Sequence, residues 1–140
     1  MKDIVASSFA DPADVVAFQK WYAVYRNHGM SEGASTKAAL AKGDNGVGFT
    51  GISCATDKQC LCALPPEDWK LKWGTKAKAG GKAVAVTYKG KTVLGRLGDT
   101  MPAKKNRLND ASIDLNPGFA KAFGVKPPFM LEEVSWDWAE

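Results

Sequence analysis

Apolar residues recur along this chain with two periods. Val15, Phe18, Tyr22 and Tyr25 fall three or four apart, with Trp21 beside them, which is the spacing of one helical face. Asp11-Pro12-Ala13-Asp14 in front of them has helix-start chemistry: an N-cap acid, a proline at the first helical position and a further acid in the first turn. Gly29 supplies a stop, so the pattern predicts an amphipathic helix over about residues 12–27. A period of two appears in Ala83-Val84-Ala85-Val86-Thr87-Tyr88 and again in Val134, Trp136 and Trp138, which share one face of a strand over Glu133–Trp138. Lys89-Gly90-Lys91 joins the first of these to a second strand, Thr92–Leu97, as a hairpin.

Shorter signals fill the remainder. Ile4-Val5-Ala6-Ser7-Ser8-Phe9 reads as a first strand, and Cys62-Ala63-Leu64-Pro65 as a short strand entering a loop. Pro66-Glu67-Asp68-Trp69 suits one helical turn, and Thr36–Lys42 is a candidate short helix. Ile113-Asp114-Leu115 leads into Asn116, which has the chemistry to cap a helix starting at Pro117, with Phe119, Ala120 and Phe123 inward and Gly124 at its end. Pro127-Pro128 then breaks the chain. The glycine-rich run Gly43-Asp44-Asn45-Gly46-Val47-Gly48 lacks the Lys-Ser/Thr end of a phosphate-binding loop and reads as a tight turn. About six short strands with two helices, and no regular β-α-β alternation, predict a mainly β fold: a small barrel with helical insertions in one domain spanning residues 1–140.

Charge adds an asymmetry. The 140 residues carry a formal net charge of +4, with 45% hydrophobic and 24% charged residues, an ordinary balance for a globular domain. Residues 70–107, however, hold eleven Lys or Arg against the single acid Asp99, whereas both flanks are net acidic. The block reads either as a solvated lysine surface or as attraction to a polyanion. No run approaches the ~20 apolar residues of a spanning helix, and the first residues carry no leader pattern. Cytoplasmic residence, a removed leader and leaderless export all remain open on this ground. Cys54 is able to pair with Cys60 or Cys62 across a short loop, whereas Cys60 and Cys62 share a direction and suit each other poorly. The lone His28 is distant in sequence, which disfavours a zinc site and a Cys62–His nucleophile alike.

The order of these pieces over residues 43–138, with Val5–Phe9 ahead of them, resembles the double-psi β-barrel domains of expansins, family-45-type endoglucanases and rare-lipoprotein-A-like lytic transglycosylases. The matching pieces are Gly43 to Gly51, Cys62-Ala63-Leu64-Pro65, the Val84–Lys91 hairpin, Asp99-Thr100-Met101-Pro102 and Ile113-Asp114-Leu115-Asn116-Pro117-Gly118-Phe119-Ala120. The resemblance implies a six-stranded double-psi β-barrel with a helical insertion at about 12–42 and a short helix in the second half. It also implies a secreted or periplasmic protein acting on a cell-wall polysaccharide: peptidoglycan, or a plant or fungal glycan. It implies no cofactor, no metal, no nucleic-acid or membrane partner, and a monomer. Asp114 takes the place of the acid in the glycan groove, Asp99 that of a nearby groove-shaping residue, and Asp11 falls near a second acid found in the endoglucanases, although helix capping also explains it. The transglycosylase histidine is missing, because Leu64 stands near its place.

Glycoside cleavage requires a proton donor and, for inversion, a carboxylate base ~6.5–9.5 Å from it. The candidate catalytic residues are therefore Asp114, Asp99 and Asp11, and the candidate substrate contacts are Trp69, Trp73, Tyr88 and Asn109. Each has a structural counterpart: Asp114 as an acceptor for loop N–H groups, and Trp69 and Trp73 as cover for the barrel end. The same barrel equally suits a non-catalytic module that binds polysaccharide or a protein partner.

Overall fold

The computed structural model describes residues 4–10, 12–40, 53–101 and 111–140. Asp11, Asn109 and the glycine-rich run at 43–51 lie outside them. Six strands, β1 (Ile4–Ser8), β2 (Leu61–Leu64), β3 (Ala83–Tyr88), β4 (Lys91–Thr100), β5 (Ala111–Leu115) and β6 (Met130–Trp138), close into a barrel in the order β1-β5-β2-β4-β3-β6. The pairs β1/β5 and β2/β4 are parallel and the other four pairings are antiparallel. This is the mixed six-stranded barrel expected from the order of the sequence pieces.

Alternation decides what enters the barrel. Ala6, Cys62, Leu64, Val84, Val86, Leu97, Ile113, Leu115, Val134 and Trp136 form one buried cluster, joined by Trp69, Ala79 and Phe119 from helices. All four residues of β2 are buried, because β4 and β5 flank it and further side chains cover its outer face. Three pairings break step: β1/β5 between Val5 and Ala6, β1/β6 and β2/β4. In β6, the Ile4↔Val134 and Ala6↔Leu131 pairings leave one extra residue on β6, with Glu133 at φ +56°, so Leu131 and Val134 both face inward. In β4, Cys62 pairs with Leu97 but Ala63 pairs with Asp99, which leaves Gly98 as the extra residue. A side chain at Gly98 would meet Cys54 Sγ at 3.0 Å and Leu61 Cβ at 3.3 Å. β4 consequently runs on to Thr100, beyond the Leu97 end that its pattern suggests.

Between β1 and β2 lie α1 (Pro12–Asn27), which has the expected bounds, and α2 (Glu32–Leu40), which starts four residues before Thr36. Ser31 accounts for the earlier start: its Oγ accepts from Ala34 N–H, and Glu32 follows in the first turn. α1 packs on α2. α3 (Pro66–Trp73) extends the expected single turn to eight residues and stops at Gly74, at φ +85°. The sequence pattern gave no sign of α4 (Lys76–Ala79), which Thr75 caps. The β3–β4 hairpin turns on Lys89 and Gly90, at φ +50° and +79°, the two positive values of a type I′ turn.

Candidate functional site

The two acids singled out by the sequence stand in one row on the outside of the barrel. Ile113 and Leu115 point inward, so Asp114 between them points out. It pairs with Ser7 of β1 on one side and with Ala63 of β2 on the other. Ala63 in turn pairs with Asp99 of β4. Without the extra residue at Gly98, Asp99 would follow Leu97 into the interior; the bulge returns it to the outer row. The row therefore reads Ser7, Asp114, Ala63, Asp99, with Phe9 and Met101 packed on Ala63.

Each acid in this row has an intramolecular donor. Ser7 Oγ–H donates to Asp114 Oδ1, and the Thr100 N–H donates to Asp99 Oδ1 at 2.8 Å. Two inter-strand steps separate the acids, so their Cα atoms lie about 10 Å apart.

The aromatic candidates lie elsewhere. Trp69 is 3% exposed, belongs to the barrel cluster, and donates its Nε1–H to Thr100 Oγ1 at 3.1 Å. Its ring is core and offers no open face. Trp73 is half-buried, edge-on to Trp138 with centroids 5.6 Å apart, and has Lys72 and Lys82 Nζ at 5.2 and 4.6 Å from its ring. Tyr88 is edge-on to Phe123 at 5.8 Å and lines an open cleft of about 650 Å³ with Met130, Glu132 and Glu133. The aromatic candidates and the acid row thus do not converge on one groove among the described residues. No aromatic ring among them is exposed; their exposed large hydrophobics are the aliphatic Val16, Leu71, Leu94 and Met130.

Two residues on from Asp114 stands Asn116, which is 1% exposed. Its Oδ1 accepts from Leu61 N–H and Phe119 N–H, and the two hydrogens of its Nδ2 are shared among the carbonyls of Cys54, Thr56 and Gln59. One side chain therefore caps α5 (Pro117–Phe123) and clamps the 54–61 segment. The capping role was legible in Asn116-Pro117; the clamp was not, because its partners lie more than fifty residues away.

None of the three cysteines is in a disulfide, so the pairing of Cys54 with Cys60 or Cys62 is not realised. Burial pushes the Cys62 thiol far above the ordinary thiol range, and Cys54 and the Asp114 carboxylate add to the shift. Such a thiol is no nucleophile at neutral pH. Burial also raises the half-buried Cys60. No group of three or more His, Cys, Asp or Glu among the described residues is placed to hold a metal ion, and no helix among them is long and apolar enough to cross a membrane.

Fold and outer row together define a closed six-stranded mixed β-barrel with a helical pair between its first two strands. Among solved structures the chain is similar to the Streptomyces papain inhibitor, at 25% identity over 69% of this chain and 86% of that one, with a TM-score of 0.48. No family model matches the chain. No curated protein matches it either.

Proposed function

We propose that this chain is a non-catalytic protein-interaction module, of the inhibitor or effector kind, built on a double-psi-type barrel. The observation that carries this reading is the chemistry of the exposed surface. Sugar recognition uses open aromatic faces, whereas among the described residues the exposed large hydrophobics are aliphatic and every aromatic ring is buried or half-buried. Aliphatic side chains on a rigid closed barrel suit a protein surface. The acids support the same reading, since each takes a hydrogen bond from its own chain.

A second reading keeps the expansin, endoglucanase and transglycosylase likeness: a cell-wall glycan bound along the outer row, with Asp114 as its acid. The placement of Asp114 and Asp99 on either side of Ala63 favours it. One experiment separates the two. The protein and its Asp114→Asn variant are incubated with peptidoglycan, cellulose and chitin, with mass spectrometry of released fragments, and in parallel with a panel of serine and papain-type cysteine proteases. The interaction reading expects no fragments and inhibition of a protease by both proteins. Fragments released by the parent and lost in a folded Asp114→Asn variant would overturn it.

A further inference from the structure

We infer that the outer surface of α3 and α4 docks an acidic segment of a protein partner, an inference that rests on the protein-interaction reading above. The segment from Pro66 to Lys82 carries five lysines, Lys70, Lys72, Lys76, Lys78 and Lys82, against two acids, Glu67 and Asp68, in the first turn of α3. In their midst Leu71 is 91% exposed. The two tryptophans of α3 face the barrel: Trp69 lies in the core and Trp73 packs against it. Beyond its acidic first turn, what α3 turns outward is an isolated leucine with Lys70 and Lys72 as its chain neighbours.

Several of these ammonium groups are already positioned. Lys72 and Lys82 both stand over the Trp73 ring; Lys72 Nζ also donates to the Glu140 carbonyl at 2.6 Å, and Lys82 Nζ lies 3.9 Å from Glu140 Oε1. Lys70 Nζ lies 5.8 Å from the Trp69 ring. Charges held in place lose less freedom when a partner arrives. Lysines in excess beside one apolar anchor are complementary to carboxylates next to an apolar side chain, with the leucine at the desolvated centre and the lysines at the rim.

Two other occupants fit less well. A bilayer surface takes helices that present a whole apolar face, and α3 turns one apolar side chain outward. Single-stranded nucleic acid is held by stacking on open aromatic rings, of which the described residues have none, and Arg96 is already donating to the Gly81 carbonyl.

The test uses the full chain and a fluorescein-labelled peptide of glutamate and leucine, read by fluorescence anisotropy, with the glutamine-for-glutamate peptide as control. The acidic peptide should bind and the control should not. Leu71→Ser should weaken binding about tenfold, the loss of one buried leucine anchor. Lys76→Gln and Lys78→Gln should each weaken it by about two- to fivefold and reduce its salt dependence. Thermal unfolding should be unchanged in these exposed-site variants, which separates lost binding from lost fold. Peptide binding that survives all three substitutions would overturn this surface and leave the protein-interaction reading standing. Tighter binding to heparin or to phosphatidylserine vesicles than to the peptide would also overturn it. Asp114-dependent release of glycan fragments would instead overturn the reading on which it rests.

Discussion

Replacing Asn116 by alanine removes two bonds to its Oδ1 and the two N–H donors shared by three carbonyls, at a site that water does not reach. Loss of the α5 cap costs about 1 kcal/mol. The Leu61 N–H, buried on β2, loses its acceptor, and a stranded buried donor costs about 1–3 kcal/mol. The Cys54 carbonyl keeps a second donor, Thr56 N–H at 2.8 Å, so its loss is smaller; the Gln59 carbonyl sits against Gly118 and adds about 1 kcal/mol. The expected total is about 3–5 kcal/mol, a large part of the ~5–15 kcal/mol that holds a domain of this size together. Urea unfolding followed by tryptophan fluorescence should show a midpoint lower by about 2 M, taking a slope of ~2 kcal/mol per M. Hydrogen exchange adds a local readout, because the Leu61 and Phe119 amides should lose protection before the β3–β4 amides do. Asn116→Asp is the informative companion. It keeps the acceptor but turns a carboxylate oxygen toward three carbonyls, so it should be nearly as damaging at pH 7 and less so where that carboxyl is protonated. A loss below 1 kcal/mol in Asn116→Ala would refute the clamp and leave Asn116 as an ordinary helix cap.

Gly118→Ala and Gly33→Ala should shift stability in opposite directions. A Cβ at Gly118 would meet the Gln59 carbonyl oxygen at 1.9 Å, so the backbone must move and about 2–3 kcal/mol is lost, whereas a Cβ at Gly33 in α2 meets nothing within 4 Å and should stabilise by about 0.5–1 kcal/mol; thermal melts decide both. The raised Cys60 and Cys62 thiols keep their protons in the fold and lose them more readily when unfolded. Their contribution to stability is therefore complete below the ordinary thiol range near pH 9 and declines as pH rises above it, which urea midpoints from pH 7 to 10.5 will measure. In the same samples, Cys62 should stay unmodified by a thiol reagent at pH 8 until the protein is unfolded, and rapid labelling of the native protein at that position would contradict its burial.

How much of this was legible depends on how far each signal reaches along the chain. Pro12 and Gly29 bracketed α1, Lys89-Gly90 fixed the hairpin turn, and Asn116-Pro117 with Gly124 set the ends of α5, because caps and turns are satisfied within a few residues. The sequence alone therefore determined most elements and, through their order, a mainly β barrel. Where Asp99 points was not available from its neighbours, since alternation after Leu97 sends it inward and only the bulge at Gly98, opposite Cys62 and Ala63, turns it out. Trp69 admits two readings in sequence, sugar contact or cover for the barrel end, and only its partner Thr100, thirty-one residues away, decides for the second. Pairing Ser7 with Asp114, and both acids with Ala63, joins β1, β2, β4 and β5. Such pairings exist only once the barrel closes, because register between distant strands is set by which side chains the shared interior admits.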